Sequence, residues 1–232
     1  MNSTKRQARI AGFLYLLASI PAPFGLIYVP SKLIVPGDAT ATADHFRASE
    51  NVLRAGIACE LIASVIFIFV VLALYRLFKR VSAKHALAMA TLLLVSLPIS
   101  FLSIVNETAA LIVVRGASFL AGFDQRQLDS LAYLFFRLHS QTITVAEIFW
   151  GLWLFPFGIL VIRCGFIPRF LGYLLFVAGF GYLADSLTTL IVPLYRQVVS
   201  QFAMVLEIAE LPIIFWLLIW GAKERPAVAP AS

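Results

Sequence analysis

Four acidic residues sit deep inside apolar stretches of this chain, each 16 positions from a basic residue. Glu60 precedes Arg76, Glu147 precedes Arg163, Glu207 precedes Lys223, and Asp185 follows Arg169 by that interval. At a rise of about 1.5 Å per helical residue, 16 positions correspond to roughly 24 Å. The hydrocarbon core of a bilayer is about 30 Å thick, so the spacing predicts one acidic layer in its far third. Ionisable groups at that depth are costly, and the default reading of one is a functional site.

The polar residues around these acids follow helical spacing. Arg137, Gln141, Thr144, Glu147 and Gly151 share a face, as do Gly181, Asp185 and Thr188 or Thr189. Glu207 and Glu210 form a third stripe, Gly56, Glu60 and Ser64 a fourth. Ser96, Ser100 and Ser103 lead to Asn106 or Glu107 in a fifth. Residues three and four apart lie on one side of a helix, so each stripe belongs on a protein-facing side. With no cation at that depth, burial and mutual repulsion favour the neutral acid over the carboxylate. Arg54, Arg115 and Arg137 lie near the outer rim, where they can pair with one or two of the acids.

Two readings of the layer follow. It is a site for a small cation, a proton or an amine-bearing or hydroxylated ligand, or it is a hydrogen-bonded network that locks helix packing. The ligand-binding set is Glu60, Glu147, Asp185, Glu207, Glu210, Asn106, Glu107, Arg54 and Arg137.

Other chemistry finds little support. His45, His85 and His139 divide between the two sides, so they make no common zinc or haem site. No His-Glu-x-x-His, Glu-x-x-His or Cys-x-x-Cys run is present. Glu207 and Glu210 could together hold a divalent metal, but paired carboxylates on such a helix are more often structural or proton-bearing. No metal and no cofactor is therefore expected. Nucleophile elbows, P-loops and Gly-x-Gly-x-x-Gly turns are also missing, and an enzyme is the less favoured reading.

The elements that position these residues are legible in composition. The chain has 232 residues, 61% of them hydrophobic and 13% charged, with a mean hydropathy of +0.93. Soluble domains carry about 25% charged residues, so an all-α, polytopic membrane protein is expected. Six apolar runs are long enough to span: Ile10–Val29, Val52–Tyr75, Ala86–Val105, Val145–Ile162, Phe170–Val192 and Phe202–Gly221. They imply a single six-helix domain over residues 1–225 and a disordered tail, Pro226–Ser232. The first run lacks a clear cleavage site and reads as an uncleaved helix.

Of the 18 lysines and arginines, 11 fall at the N-terminus, in alternate turns and after the sixth run. The positive-inside rule then places both termini in the cytoplasm. The net charge of +6 is explained by that asymmetry and implies no nucleic acid. Cys59 and Cys164 fall on opposite sides and do not pair. Outside the runs, Asp38 or Thr40 caps a short external helix over Ala41–Glu50. Leu128–Thr144 reads as an amphipathic extension of the fourth helix, Gly165–Pro168 as a tight turn, and Gly179–Tyr182 as a close-packing site between helices.

Several segments carry a resemblance. Arg9-Ile-Ala-Gly-Phe-Leu-Tyr-Leu-Leu, Val35-Pro-Gly-Asp with Ala48-Ser-Glu-Asn-Val-Leu-Arg, Ala73-Leu-Tyr-Arg-Leu-Phe, Phe166-Ile-Pro-Arg-Phe-Leu-Gly-Tyr and Gly179-Phe-Gly-Tyr-Leu-Ala-Asp resemble a family of bacterial integral membrane proteins. So does Glu210 through Lys223. The family is catalogued as domain of unknown function 4386, and the resemblance covers nearly the whole chain. It implies a six-helix protein of the bacterial inner membrane and carries over no catalytic residues. The expected function is binding or translocating a small cation, proton or amphipathic ligand, with the lipid bilayer as surroundings. The alternatives are an intramembrane lipid-modifying enzyme with a carboxylate acid/base pair and a non-catalytic accessory or sensor subunit.

Overall fold

The computed structural model describes residues 3–222; the tail and the anchor Lys223 lie outside them. Among the described residues there are helices and turns and no strand. Six helices are long and apolar enough to cross a membrane: Ser3–Leu33, Glu50–Phe78, Ala83–Val114, Gln125–Cys164, Arg169–Ile191 and Pro193–Ile219. We refer to these as spans 1 to 6. A bilayer interior offers no water to bond a bare peptide group, so the backbone there closes its own hydrogen bonds as helices.

Four of the expected runs fall inside these spans and two pass a span's end, by one residue at Val192 and by two at Gly221, and several limits differ for physical reasons. Span 3 continues from Val105 to Val114. Asn106 and Thr108 lower the hydropathy there yet stay helical, bonding back to the carbonyls of Leu102 (3.1 Å) and Ile104 (2.8 Å). Span 6 starts at Pro193 rather than Phe202, because its first turns carry Arg196, Gln197 and Ser200. It tightens to a 3-10 turn over Ile208–Glu210 just ahead of Pro212, which has no N–H to give. Span 1 is interrupted near Pro21 and Pro23 and contains a π-helical turn, Phe24–Tyr28. Span 4 runs unbroken for 40 residues, about 60 Å, twice the hydrocarbon thickness. Its N-terminal part is the expected amphipathic extension. The short helix expected between spans 1 and 2, referred to below as the external helix for its place outside the spans, is also present, as Ala39–Ala48, with the Asp38 side chain accepting from the Ala41 N–H at 2.9 Å.

The chain gathers into two compact units. One contains Leu17–Phe67 and Val95–Ala146. Its apolar core brings Val29, Phe46, Leu53, Leu111, Ala132 and Phe136 together, with the Phe46 and Phe136 rings 5.5 Å apart. The external helix is bound to the start of span 4 by polar contacts. Arg47 donates to Asp129 (2.9 Å) and Asp44 (2.7 Å), Gln125 donates to Asp129 (2.9 Å), and the Tyr133 hydroxyl accepts from Gly37 N–H (3.0 Å). The hydrogen bonds to Asp129 and Asp44 hold the Arg47 guanidinium above its ordinary range.

The other unit contains, among the described residues, 3–16, Ile68–Leu94 and 147–222. Trp153 and Phe157 stack at 5.2 Å, and Phe78 meets Phe157 edge-on at 5.6 Å. Spans 4 and 5 form a hairpin turned at Gly165, whose φ of 72° suits a residue without Cβ. Glycines hold this hairpin close. A Cβ on Gly151 would lie 2.8 Å from the Gly179 carbonyl, and one on Gly158 would lie 2.8 Å from that of Gly172. Both pairs are placed symmetrically about Gly165. Close backbone approach through small residues is how helices gain packing where lipid is as apolar as leucine.

The Asp129 carboxylate is 2% exposed, and truncating it removes an acceptor from Gln125 and leaves Arg47 with Asp44 alone. Asp129→Ala is expected to lower stability by about 1–3 kcal/mol, read by denaturant unfolding in detergent. A loss within experimental error would show that the external helix is held by its apolar face alone.

Candidate functional site

Three ionisable side chains meet within the first of these units. Glu60 on span 2 is 4% exposed, Glu107 on span 3 is 0% and His139 on span 4 is 2%. One ligating atom from each lies within 4.8 Å of the others. Local sequence explains how each arrives. Gly56 lets span 2 approach span 1, since a Cβ there would meet Val29 at 2.9 Å. The π turn of span 1 lays Gly25 against Glu60, where a Cβ would be 2.5 Å from Glu60 Cγ and 3.0 Å from the Gly56 carbonyl. A π turn is an insertion that helices retain mainly at sites with a use for it. His139 follows Ala132 and Phe136 along the buried face of span 4 and packs on the Phe136 ring at 5.1 Å.

Hydrogen bonding fixes the tautomer of the imidazole. His139 Nδ1 lies 3.2 Å from the Ser103 carbonyl oxygen. A carbonyl only accepts, so Nδ1 carries a proton, and the neutral form of the ring has its lone pair at Nε2. That Nε2 is 3.7 Å from Glu60 Oε1, beyond hydrogen-bond range. Glu60 Oε1 and both carboxyl oxygens of Glu107 have no hydrogen-bond partner among the described residues. Buried polar atoms are almost always partnered, so a cluster of four facing lone-pair atoms is unusual. Nearby serines do not supply the donors, because Ser100 and Ser103 turn back to the carbonyls of Ser96 (3.1 Å) and Ser100 (2.7 Å).

The rest of the expected set is dispersed. Arg54 donates to Glu50 at 2.7 Å, and Arg115 approaches the same carboxylate at 3.7 Å. Arg54 is thus engaged in a rim cluster. Asn106 bonds its own helix, and Arg137 is exposed. In the other unit Glu147, Asp185 and Glu207 lie within electrostatic reach of one another. Glycine packing sets their positions: Gly151 admits Tyr182 and Leu183 one turn from Glu147, and a Cβ on Gly181 would lie 3.3 Å from Glu207 Cγ. Asp185 accepts from the Ser200 hydroxyl. Glu210 accepts from the Tyr15 hydroxyl, while Glu207 is turned to span 5. The i, i+3 pair therefore serves two neighbours rather than one shared ligand.

His139 is the member that spacing did not single out. It lies off the Arg137–Gln141–Thr144 stripe, on the face marked by Ala132, Phe136 and Ala146. The available signal was that face: small and aromatic residues at helical spacing with one imidazole among them.

Substituting Gly25 tests how tightly the π turn seats Glu60. Gly25→Ala is expected to cost about 1–3 kcal/mol of stability in detergent. In the Glu60→Ala background, which removes Cγ, the same change should cost measurably less. Equal losses in both backgrounds would mean that Gly25 and Glu60 do not meet.

The family described as a domain of unknown function (DUF4386) matches residues 10–221. An uncharacterized protein of Archaeoglobus fulgidus is 30% identical over 99 residues, 40% of this chain and 58% of its own length. The chain thus spans little more than half of that relative, whose archaeal origin does not confirm a bacterial source. No solved structure matches. With the family match reaching from the first span to the end of the sixth, this protein belongs to the DUF4386 family, with six helices apolar enough to cross a membrane.

Proposed function

We propose that this protein binds a small cation inside its membrane spans, at Glu60, Glu107 and His139. One observation carries the reading. Glu107 is wholly buried with both carboxyl oxygens unpartnered, and a carboxyl oxygen of Glu60 lies within 4.8 Å of one of them. Two acid groups brought together in a medium without water are satisfied either by a proton held on one of them or by a cation between them, and a cation answers every lone pair of the cluster at once. Three helices and the π turn converge to place them, a large investment of close packing for a purely structural contact. In the second group, Glu147, Asp185 and Glu207, Asp185 accepts from the Ser200 hydroxyl, and that group supports the reading less directly. We further place both termini on the cytoplasmic side, in keeping with the excess of lysine and arginine at that end.

Two measurements test this. Thermal unfolding of purified protein in detergent, with choline replaced by sodium, lithium, calcium, magnesium, manganese or zinc, should give a higher midpoint with at least one cation. Ligand at about 100 times its Kd adds roughly 2.7 kcal/mol to stability. The rise should vanish in Glu107→Gln, and a flat response to every cation would sink the reading. For orientation, a C-terminal fluorescent fusion should light up and a C-terminal alkaline-phosphatase fusion should stay inactive. The reverse pattern would invert the topology.

A further inference from the structure

We infer that the cation is a divalent first-row transition metal, held by Glu60, Glu107 and His139 Nε2. The inference rests on the cation-binding reading of that site and names the class of ion. Charge comes first. Two carboxylates and a neutral imidazole sum to minus two, so a divalent ion leaves the buried group neutral. With both carboxyls ionised, a monovalent ion would leave a net charge among residues no more than 4% exposed, and neutrality would then require one acid to keep its proton and give up its place as a ligand.

Donor chemistry narrows the choice. Calcium and magnesium prefer oxygen donors throughout, whereas imidazole nitrogen suits iron, cobalt, nickel, copper and zinc. The His139 ring has the arrangement that metal-bound histidines use. Its Nδ1–H is committed to the Ser103 carbonyl at 3.2 Å, which fixes ring orientation and directs the Nε2 lone pair toward the carboxylates. Geometry agrees. Two ligands at about 2.1 Å from a tetrahedral ion stand roughly 3.4 Å apart, and Nε2 and Glu60 Oε1 are 3.7 Å apart. A shift of a few tenths of an ångström would seat both. Glu107, with two unpartnered oxygens, completes three protein ligands. Three ligands leave at least one coordination position for water or a small ligand, the pattern of reactive or exchangeable metal sites rather than closed structural ones.

The test uses untagged full-length protein in detergent, stripped with chelator and titrated with cobalt(II). The wild type should bind one cobalt per chain with the visible d–d absorption of nitrogen and oxygen ligation. Glu60→Gln and Glu107→Gln keep side-chain shape, and each should weaken binding by about 100-fold or more, the upper end of what outer-shell changes do. His139→Gly should do the same, with binding partly restored by added imidazole. Glu207→Gln and Cys59→Ser should leave the spectrum unchanged. Stoichiometric binding that survives His139→Gly, or no cobalt or zinc binding by folded wild type, overturns the inference. If sodium or lithium instead protects the protein through Glu107, the inference falls and the cation reading stands. If no cation of any class protects it, both fall.

Discussion

Inside a bilayer nothing but the protein itself can answer a polar atom, and most of this structure follows from that constraint. Backbone groups are answered within helices, which is why the described residues are built around six long helices. Side-chain hydroxyls are answered by carbonyls a turn back, as Ser100, Thr108, Thr142, Thr144 and Ser186 all show. Carboxyls have no such local solution. They must be carried to a neighbouring helix, and glycines do the carrying by letting backbones approach. Gly25 and Gly56 serve Glu60, while Gly151 and Gly181 serve Glu147 and Glu207. Where the neighbour brings a hydroxyl, as Tyr15 does for Glu210 and Ser200 for Asp185, the demand is met within the protein. At Glu107 it is not.

Much of this is legible in the chain itself. Spans, external helix and cap are signalled by strong local features: runs of about 20 apolar residues, an Asp-Ala-Thr-Ala start after a Pro-Gly turn, and Gly-Phe-Ile-Pro between spans 4 and 5. The stripes through Glu60 and Ser64 and through Ser96, Ser100, Ser103 and Glu107 mark sides that turn inward, whereas the one on span 4 begins at the exposed Arg137. What stays hidden are features that depend on two segments at once. The π turn in span 1 has no signature beyond a scatter of prolines, because its value lies in contact with Glu60. The early start of span 6 is masked by Arg196, Gln197 and Ser200, which lower local hydropathy without ending the helix.

The pairing of the acids shows the same division. Counting along single helices treats Glu60, Glu147, Asp185 and Glu207 as equals at one depth. Neighbours separate them: Glu60 joins Glu107 and His139 in one unit, and the other three lie in the other unit. Glu107 reads as the ragged end of an apolar run, because Asn106 and Thr108 flank it, yet it is more deeply buried than any of the four. His139 reads as a residue of an external amphipathic stretch, since Arg137 and Gln141 stand beside it. In a helix of 40 residues neighbours in sequence can belong to quite different surroundings.

The symmetric glycine contacts about Gly165 have a consequence for how this hairpin can vary. Because both contacts share one centre, the turn acts as the zero mark of a ruler common to spans 4 and 5. Adding or deleting one residue there would slide one scale against the other. Gly151 and Gly158 would then meet bulky side chains instead of Gly179 and Gly172 together. The turn is exposed to change and looks the easiest place to alter in length. It is instead the position at which the alignment of the whole hairpin is set, and drift should accumulate in the longer external connections.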